Sequence, residues 1–165
     1  MSAYITLPTP ITDEACLIEA LADLGFDRST VEVYPVAVPL VGYGGLGRGQ
    51  DANVVIRREY IGALSNDLGF LATATGYQAL ISDYDSTRFG KIWLEELHGH
   101  YQVHWAAKLE RMAAEERRRQ EEERKRLVEA QRVAVHEKAK KLGYQVKETR
   151  EGEKLRLVLV KRIYL

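Results

Sequence analysis

The chain has 165 residues, of which 45% are hydrophobic and 29% charged, and it contains one cysteine. A single thiol excludes an internal disulfide scaffold, and the length suits one domain with a core plus an exposed appendage. The sequence has no run of ~18 apolar residues, and no charged stretch followed by an apolar one at its start. We therefore expect a cytoplasmic protein without membrane contact, in which Cys16 is a core residue.

The net charge of zero conceals two oppositely charged halves. Residues 1–107 contain 6 basic and 13 acidic side chains, whereas residues 108–165 contain 18 basic and 11 acidic ones. Opposite charges attract each other within a chain or between chains, and salt screens this attraction. The pattern favours self-association, and nucleic-acid binding by the basic half is the alternative.

The N-terminal part is expected to contain one amphipathic helix. Thr12 or Asp13 can cap it, because a side-chain oxygen at this position accepts a free backbone N–H of the first turn. From Glu14 to Leu24 the apolar residues recur at intervals of three and four, and Gly25 supplies the left-handed conformation that ends a helix. The apolar face is expected to pack on a sheet.

An antiparallel meander is expected to complete the first region, residues 1–85. Pro35 and Pro39 cannot donate hydrogen bonds to a neighbouring strand, so they place the strand that contains them at a sheet edge or make it irregular. β-Branched residues bounded by turn formers predict the strands. These strands are Val31–Val41, Asn53–Arg58, Asp67–Thr73 and Gly76–Ser82, and Tyr4–Leu7 is a short extended start.

Residues 86–142 are expected to form one long helix. No proline follows Ser86, and no glycine occurs between His100 and Leu142. The segment from Glu115 to Arg126 contains no apolar side chain, so it is expected to be solvated and supported by opposite charges three and four residues apart. Whether this helix is straight or folds back is left open.

The last region, residues 143–165, is expected to be a β-hairpin. Strands at Tyr144–Thr149 and Lys154–Tyr164 flank a turn that contains Gly152. Aliphatic residues on both sides of the second strand predict that both of its faces are covered, with the hairpin packing back on the same single domain. The expected fold class is α+β: a small antiparallel sheet, an N-terminal helix, one long charged helix and a C-terminal β-hairpin.

Four short stretches carry a family resemblance. They are Ile11-Thr12-Asp13 with Cys16-Leu17-Ile18-Glu19-Ala20-Leu21, Val41-Gly42-Tyr43, Asp67-Leu68-Gly69-Phe70, and Gly143-Tyr144 with Leu155-Arg156-Leu157-Val158-Leu159. In these stretches the chain resembles the family called domain of unknown function 1257, which includes hypothetical reading-frame products of cyanobacteria and algal chloroplasts. The resemblance implies no catalytic residue, and it implies adaptor work alongside an AAA-type ATPase. Family members have a shorter helix, so Glu110 to Glu129 lies outside the resemblance.

The glycine-rich stretch Gly42-Tyr43-Gly44-Gly45-Leu46-Gly47 matches the pattern G-x-G-x-x-G of nucleotide-binding loops. Nucleotide binding by this pattern needs a helix after the loop, whereas Gln50 to Arg58 is expected to continue as strand. We expect a tight or flexible turn. The alternative is an anion site formed by Gly44, Gly45 and Arg48.

One face of the long helix combines Glu96, His100 and His104 at intervals of four residues. Surface or helix-packing histidines are the first interpretation, and a transition-metal site is the alternative. Turn and cap residues are likewise the first interpretation of four Asx side chains that precede strands or helices, and acid, base or cation ligands are the alternative. These are Asn66, Asp67, Asp83 and Asp85.

Basic side chains are concentrated in the last region, and phosphate contact is one interpretation of this pattern. The nucleic-acid candidates are Lys147, Lys154, Arg156 and Lys161. The acidic first half of the chain is the competing partner for this basic region.

Apolar residues on the long helix are expected to need a cover, which a second copy, as in a coiled coil, or another protein would supply. They are Leu109, Met112, Leu127, Val128 and Val133. The first expectation is therefore a non-catalytic assembly or adaptor protein without a cofactor, whose partner is itself or another protein such as an AAA-type ATPase. A nucleic-acid binder and a metal-dependent enzyme are the two alternatives.

Overall fold

The structure is a computed structural model that describes residues 3–161. Its fold is α+β, as the sequence predicts. The elements are β1 (Tyr4–Pro8), α1 (Glu14–Asp23), β2 (Val31–Val41), β3 (Gly47–Ile56), α2 (Arg58–Ile61), β4 (Leu68–Thr73), β5 (Gly76–Ser82), α3 (Ser86–Phe89), α4 (Lys91–Lys141), β6 (Tyr144–Glu151) and β7 (Lys154–Lys161). Within these residues, no helix is both long and apolar enough to cross a membrane.

The chain divides into two compact units, Met1–Glu110 and Arg111–Leu165, which we call unit 1 and unit 2. Helix α4 contributes its first part to unit 1 and the rest to unit 2. The expected packing of the hairpin on the first domain, with boundaries after residues 85 and 142, stays a prediction.

Unit 1 is built on a five-stranded antiparallel sheet with the strand order β1-β5-β4-β3-β2. The meander from β2 to β5 is confirmed, and β1 adds to its far edge beside β5. Strand β2 lies at the opposite edge, and its register shifts between Val33 and Val38 and again after Pro39. The prolines therefore mark an irregular edge strand, as expected.

One face of this sheet is covered by α1 and the first part of α4. Cys16, Leu17 and Leu21 of α1 share a buried cluster with Phe70 of the sheet and Leu97 of α4. Burial raises the pKa of the Cys16 thiol to about 11, which fits the expected core role. The Asp13 side chain caps α1 by accepting the Cys16 N–H at 3.0 Å.

The other face carries a smaller cluster of Leu40, Ala52, Val55 and Leu80. Gly69 lies between two of these side chains, because a Cβ at this position would stand 2.6 Å from Ala52 Cβ and 2.9 Å from Leu40 Cδ1. The glycine of the Asp67-Leu68-Gly69-Phe70 stretch is therefore required by close packing.

Three boundaries differ from expectation. Strand β3 begins at Gly47 because a tight turn joins it to β2, with Gly44 and Gly45 at φ +94° and +79°. Helix α2 follows β3 where strand was expected up to Arg58. The long helix begins at Lys91 after a break at Gly90, where a Cβ would lie 2.3 Å from the Ser86 carbonyl oxygen.

Unit 2 contains the rest of α4 and the hairpin of β6 and β7. The two strands pair without interruption from Tyr144–Lys161 to Glu151–Lys154. Gly152, at φ +62°, is the first residue of the two-residue turn between them. The hairpin is confirmed, and the part of its predicted second strand that ends at Tyr164 lies outside the described residues.

Candidate functional site

Unit 2 has almost no buried core. Ala139 of α4 is the one buried residue among its described residues, and four further aliphatic side chains are half-buried. These four are Val135, Val146, Leu155 and Leu157. Because burial of apolar area is the main stabilising contribution in a folded unit, this contact is small for a helix and two strands.

A carboxylate of β6 supplements that contact. Glu148 Oε1 accepts hydrogen bonds from Arg132 Nε and His136 Nε2 of α4, each at 2.6 Å. The hydrogen bond from Arg132 and then that from His136 lower the pKa of Glu148. The sequence analysis assigns no role to Glu148 or His136, and the one signal for them is the i,i+4 spacing of Arg132 and His136 on one helix face.

All five predicted contact residues on α4 are exposed. The exposed fractions are 46% for Leu109, 56% for Met112, 59% for Leu127, 39% for Val128 and 46% for Val133. A helix turns by ~100° per residue, so Leu127 and Val133 stand ~120° apart around the axis. They therefore form no single stripe of coiled-coil type, although each is available to a partner.

Val128 lies beside the hairpin tip instead. It lines a groove of about 490 Å³ together with Leu155, Arg150 and Arg124. Arg124 pairs with Glu121 at 3.0 Å and with Glu153 of the turn at 3.6 Å. The groove is therefore lined by both apolar and charged side chains.

The second strand of the hairpin is exposed where the sequence predicts that it is covered. Val158, Leu159 and Val160 are 45%, 51% and 37% exposed, respectively. The expectation of two covered faces is therefore wrong for the chain alone. Alternation along a strand shows that a residue needs a cover, and it does not say whether the cover belongs to the same chain.

The strand register separates the predicted nucleic-acid residues into two groups. Lys147 lies opposite Val158, and Arg156 lies opposite Thr149. Directly opposed residues share a face, so Lys147, Lys154 and Arg156 are on the face that contains Val158. Glu148, opposite Leu157, is on the face toward α4, and alternation places Lys161 on that face too.

Unit 1 contains a cluster of buried polar residues around Asp67. The carboxylate accepts the N–H of Val41 at 2.8 Å and of Arg58 at 2.9 Å, and it pairs with Arg57 Nη1 at 2.8 Å. The Asp67 side chain is 1% exposed. It joins β2, the start of α2 and the start of β4, so the first interpretation of Asp67 as a turn and cap residue fits this arrangement.

The guanidinium of Arg57 connects this cluster to a surface groove. Its Nε donates to Glu32 at 2.6 Å, and Tyr34 lies at 3.4 Å from its Nη2. Burial lowers the pKa of Arg57, but the hydrogen bonds with Asp67, Tyr34 and Glu32 and the charge of Asp67 together outweigh burial, and the net pKa is raised. The adjoining groove, of about 500 Å³, is lined by these same side chains, whose polar atoms bond to one another.

A second cluster of buried polar residues connects the start of β4 and the end of β5 to the start of α3. Asp85 Oδ2 accepts the Ser82 hydroxyl at 2.5 Å and the backbone N–H of Asn66 at 3.1 Å. The Asn66 amide donates to Ser82 Oγ at 3.0 Å, and its oxygen accepts the N–H of Tyr43. Asp83 accepts the N–H of Tyr84. The four Asx residues thus fix turns, as their first interpretation holds.

The predicted anion site lies at the turn between β2 and β3. Arg48 folds back over Gly42, whose added Cβ would stand 2.1 Å from Arg48 Nε. That nitrogen is the one buried side-chain N or O atom without a hydrogen-bond partner among residues 3–161. Gly44 and Gly45 are exposed in the turn, and the Gly45 N–H donates to the Gly42 carbonyl oxygen. An anion ligand here stays a prediction.

The histidines of the predicted metal site face α1. His104 Nε2 lies 2.7 Å from Asp23 Oδ2 and its Nδ1 3.1 Å from Glu19 Oε2, while His100 Nδ1 lies 3.2 Å from Asp23. Hydrogen bonding by His104 lowers the pKa of Asp23. The matching four-residue spacing of Glu19 and Asp23 on α1 was the sequence signal for this pairing, and it was missed.

Glu96, the third predicted ligand, is exposed on α4. In the described part of the chain, no group of three or more His, Cys, Asp and Glu side chains could hold a metal ion. The arrangement agrees with helix-packing histidines, and the metal site stays a prediction from sequence spacing.

Comparison with known proteins adds no relative: no family model, no curated protein and no solved structure matches the chain.

Proposed function

We propose that the protein is a non-catalytic assembly protein that acts through protein–protein contacts made by unit 2. The observation that carries this proposal is the distribution of burial. Ala139 is the one buried residue that the structure describes in unit 2, whereas large aliphatic side chains such as Met112, Leu127 and Leu159 are each more than half exposed. Exposed aliphatic groups on a unit with almost no core are typical of surfaces that a partner covers.

The buried carboxylates of unit 1 support a scaffold role. Asp67 is held by three donors and Asp85 by donors from Ser82 and Asn66. A carboxylate whose oxygens already accept several hydrogen bonds has little capacity left to bind a reacting group. We therefore assign these two carboxylates a structural role in unit 1.

The resemblance to domain of unknown function 1257 adds an AAA-type ATPase to the candidate partners. That partner remains a prediction. Binding to a second copy can be tested with the purified protein alone.

The mass of the purified protein in solution tests the proposal. We expect light scattering to give a mass above the 18.7 kDa of one chain, rising with concentration. Val158→Ser combined with Leu159→Ser, both on β7, should lower the mass toward that of one chain. Ile92→Ser is the matched control, because Ile92 is 83% exposed but lies in unit 1.

Two results would contradict the proposal. One is a mass of 18.7 kDa at every concentration and salt level, in the presence and absence of a purified AAA-type ATPase from the same cell. The other is a loss of association with Ile92→Ser as large as that with the unit 2 variant.

Nucleic-acid binding is a second candidate, favoured by the strand register. Lys147, Lys154 and Arg156 share the hairpin face that turns away from Glu148 and α4. Basic side chains on one face can follow a phosphate backbone, and each phosphate contact that is lost reduces the salt dependence of binding.

Fluorescence anisotropy with a labelled single-stranded oligonucleotide tests this candidate. Charge reversal at Lys154 and Arg156 should abolish binding at moderate salt, and Lys161→Glu on the opposite face should have a much smaller effect. An equal effect of all three reversals, or binding that does not depend on salt, would exclude recognition by this face.

A further inference from the structure

The hairpin of unit 2 has one strand edge that lacks proline, glycine and bulges and contains a run of four aliphatic residues. Within residues 3–161, β7 pairs with β6 alone, so the backbone N–H and C=O groups of its outer edge have no strand partner. An unpaired edge is a template for another strand, and natural proteins block such edges with proline, bulges or charged residues. The presence or absence of these features therefore shows where a strand can add.

The other edge strands of the molecule are blocked. Strand β2 contains Pro35 and Pro39 and has two shifts of register, and β1 ends at Pro8. Strand β6 has charged residues at four of its eight positions. Strand β7, with the sequence KLRLVLVK, has charged residues at three of its eight positions but none from Leu157 to Val160, and it has no proline, no glycine and an uninterrupted register. Its outer edge is thus the accessible one.

The side chains of β7 also favour addition of a strand. Val158, Leu159 and Val160 are consecutive and exposed, so apolar surface is present on both faces of the strand. A two-stranded hairpin is marginally stable in water, whereas three or more strands with a hydrophobic face form a stable sheet. A further strand at this edge would cover part of these side chains and extend the small sheet.

We propose that β7 pairs antiparallel with β7 of a second copy, in a register centred on Leu157, which gives a two-fold symmetric dimer with a four-stranded sheet. This inference deepens the proposed function by naming the partner and the contact. In this register, Leu157 lies opposite Leu157 of the second copy and Leu155 opposite its Leu159. Because opposed residues share a face, both α4 helices lie on the same side of the new sheet.

Charge complementarity selects this register. It places Glu153 opposite Lys161 of the second copy, twice in the dimer because of the symmetry, and Arg156 opposite Val158. Centring on Arg156 would place two arginines directly opposite each other, which is destabilising. Centring between Leu157 and Val158 would place Lys154 opposite Lys161. It would also place the two α4 helices on opposite sides of the sheet. Centring on Val158 loses the Glu153–Lys161 contact and sets Leu155 opposite Lys161.

Cysteine cross-linking tests the register directly. Opposed residues in an antiparallel pair have Cα atoms about 4.5–5.5 Å apart, within the range that a disulfide spans. Leu157→Cys should therefore give a covalent dimer under mild oxidation. Val158→Cys is the matched control, because in this register the two copies of residue 158 are two positions apart, beyond the range of a disulfide. The wild type should give no covalent dimer, since Cys16 is buried.

Two further readouts check the same contact. Leu155→Cys and Leu159→Cys should form a disulfide with each other when the two proteins are mixed, and neither should cross-link efficiently alone. Lys161→Glu should weaken dimerisation about fivefold by opposing two carboxylates at each end, and adding Glu153→Lys should restore it. A residue that only stabilises the hairpin would give no such restoration.

The outcomes separate this inference from the proposed function. A dimer by light scattering with efficient cross-linking at residue 157 and little at 158 supports both. A dimer without a cross-link at 157, or with a stronger one at 158, overturns this contact and leaves the proposed function standing. A mass of one chain at every concentration overturns the contact, and then the proposed function survives only through a different protein.

Discussion

The two units differ most in how they are held together. Of the 24 buried hydrophobic residues that the structure describes, 23 lie in unit 1 and Ala139 alone lies in unit 2. Unit 1 also contains the buried polar clusters of Asp67 and Asp85, whereas the hairpin of unit 2 is attached by a few half-buried aliphatic side chains and the carboxylates of Glu148 and Glu153. The first part of helix α4 therefore belongs to a unit with a large buried core, and the rest belongs to a unit with almost none.

This difference suggests a division of roles. A unit whose core and polar groups are satisfied internally gains little from a partner. A unit with exposed aliphatic residues gains stability in proportion to the area that a partner covers. The net charges of the two halves also differ. The first half is acidic, and the second half, which contains the accessible strand edge, is basic. Substitutions in unit 1 should thus change the free energy of unfolding, and those in unit 2 should change association.

The largest effect is expected for Asp67→Ala. Removing this carboxylate leaves Arg57 and the N–H groups of Val41 and Arg58 without their acceptor, which should lower the free energy of unfolding by about 3–5 kcal/mol. Urea unfolding followed by tryptophan fluorescence measures it, since both tryptophans, Trp93 and Trp105, pack against the unit 1 core.

Asp51→Ala is the control for that prediction. Asp51 is exposed on β3, so its removal should change the free energy by no more than about 0.5 kcal/mol. A loss below about 1 kcal/mol for Asp67→Ala would show that the buried cluster is not what holds β2 and α2 to the sheet.

A smaller effect is expected for Gly69→Ala. The added methyl group meets Ala52 Cβ at 2.6 Å and Leu40 at 2.9 Å, so overpacking should cost about 1–3 kcal/mol in the same unfolding experiment. Adding Ala52→Gly removes one of the two clashes and should recover part of that loss.

Gly99→Ala tests the sign of the packing argument. Gly99 lies in α4 with no heavy atom within 4 Å of an added Cβ, so alanine should stabilise unit 1 by about 0.5–1 kcal/mol. If Gly69→Ala raises the unfolding midpoint as Gly99→Ala does, close packing at Gly69 is not the reason for the glycine.

Features that depend on neighbouring residues were predictable from the sequence. Gly25 and Gly143, with φ of +96° and +77°, follow α1 and α4 as expected, and Pro35 and Pro39 mark the irregular edge strand. Each of these follows from the conformation that one residue type allows or forbids. The fold class and the long helix therefore came from local patterns.

Contacts between distant residues could not be read in this way. Asp67 joins Val41 and Arg57. The hydroxyl group of Tyr4, 63 positions away in the sequence, donates a hydrogen bond to the Asp67 carbonyl oxygen. Nothing in the sequence near Asp67 indicates these partners. The same limit explains the error at β7: alternation identified the apolar residues, but their missing cover depends on what the rest of the chain places nearby.

The smallest effect, and the sharpest test of how unit 2 is held, concerns Glu148. Hydrogen bonds from Arg132 and His136 hold the pKa of Glu148 below its ordinary value of 4.5. A carboxyl group with a lowered folded-state pKa stabilises the folded form fully above its ordinary pKa, and this contribution is lost as the pH falls through the folded-state pKa. Acid should therefore loosen the hairpin from α4 as the pH falls below 4.5.

Glu148→Gln should abolish this dependence, whereas Glu151→Gln, on the exposed face of the same strand, should retain it. Amide hydrogen exchange of β6 and β7, corrected for the intrinsic effect of pH, measures the loosening. An identical pH dependence in wild type and Glu148→Gln would mean that the half-buried aliphatic side chains hold the hairpin without this carboxylate.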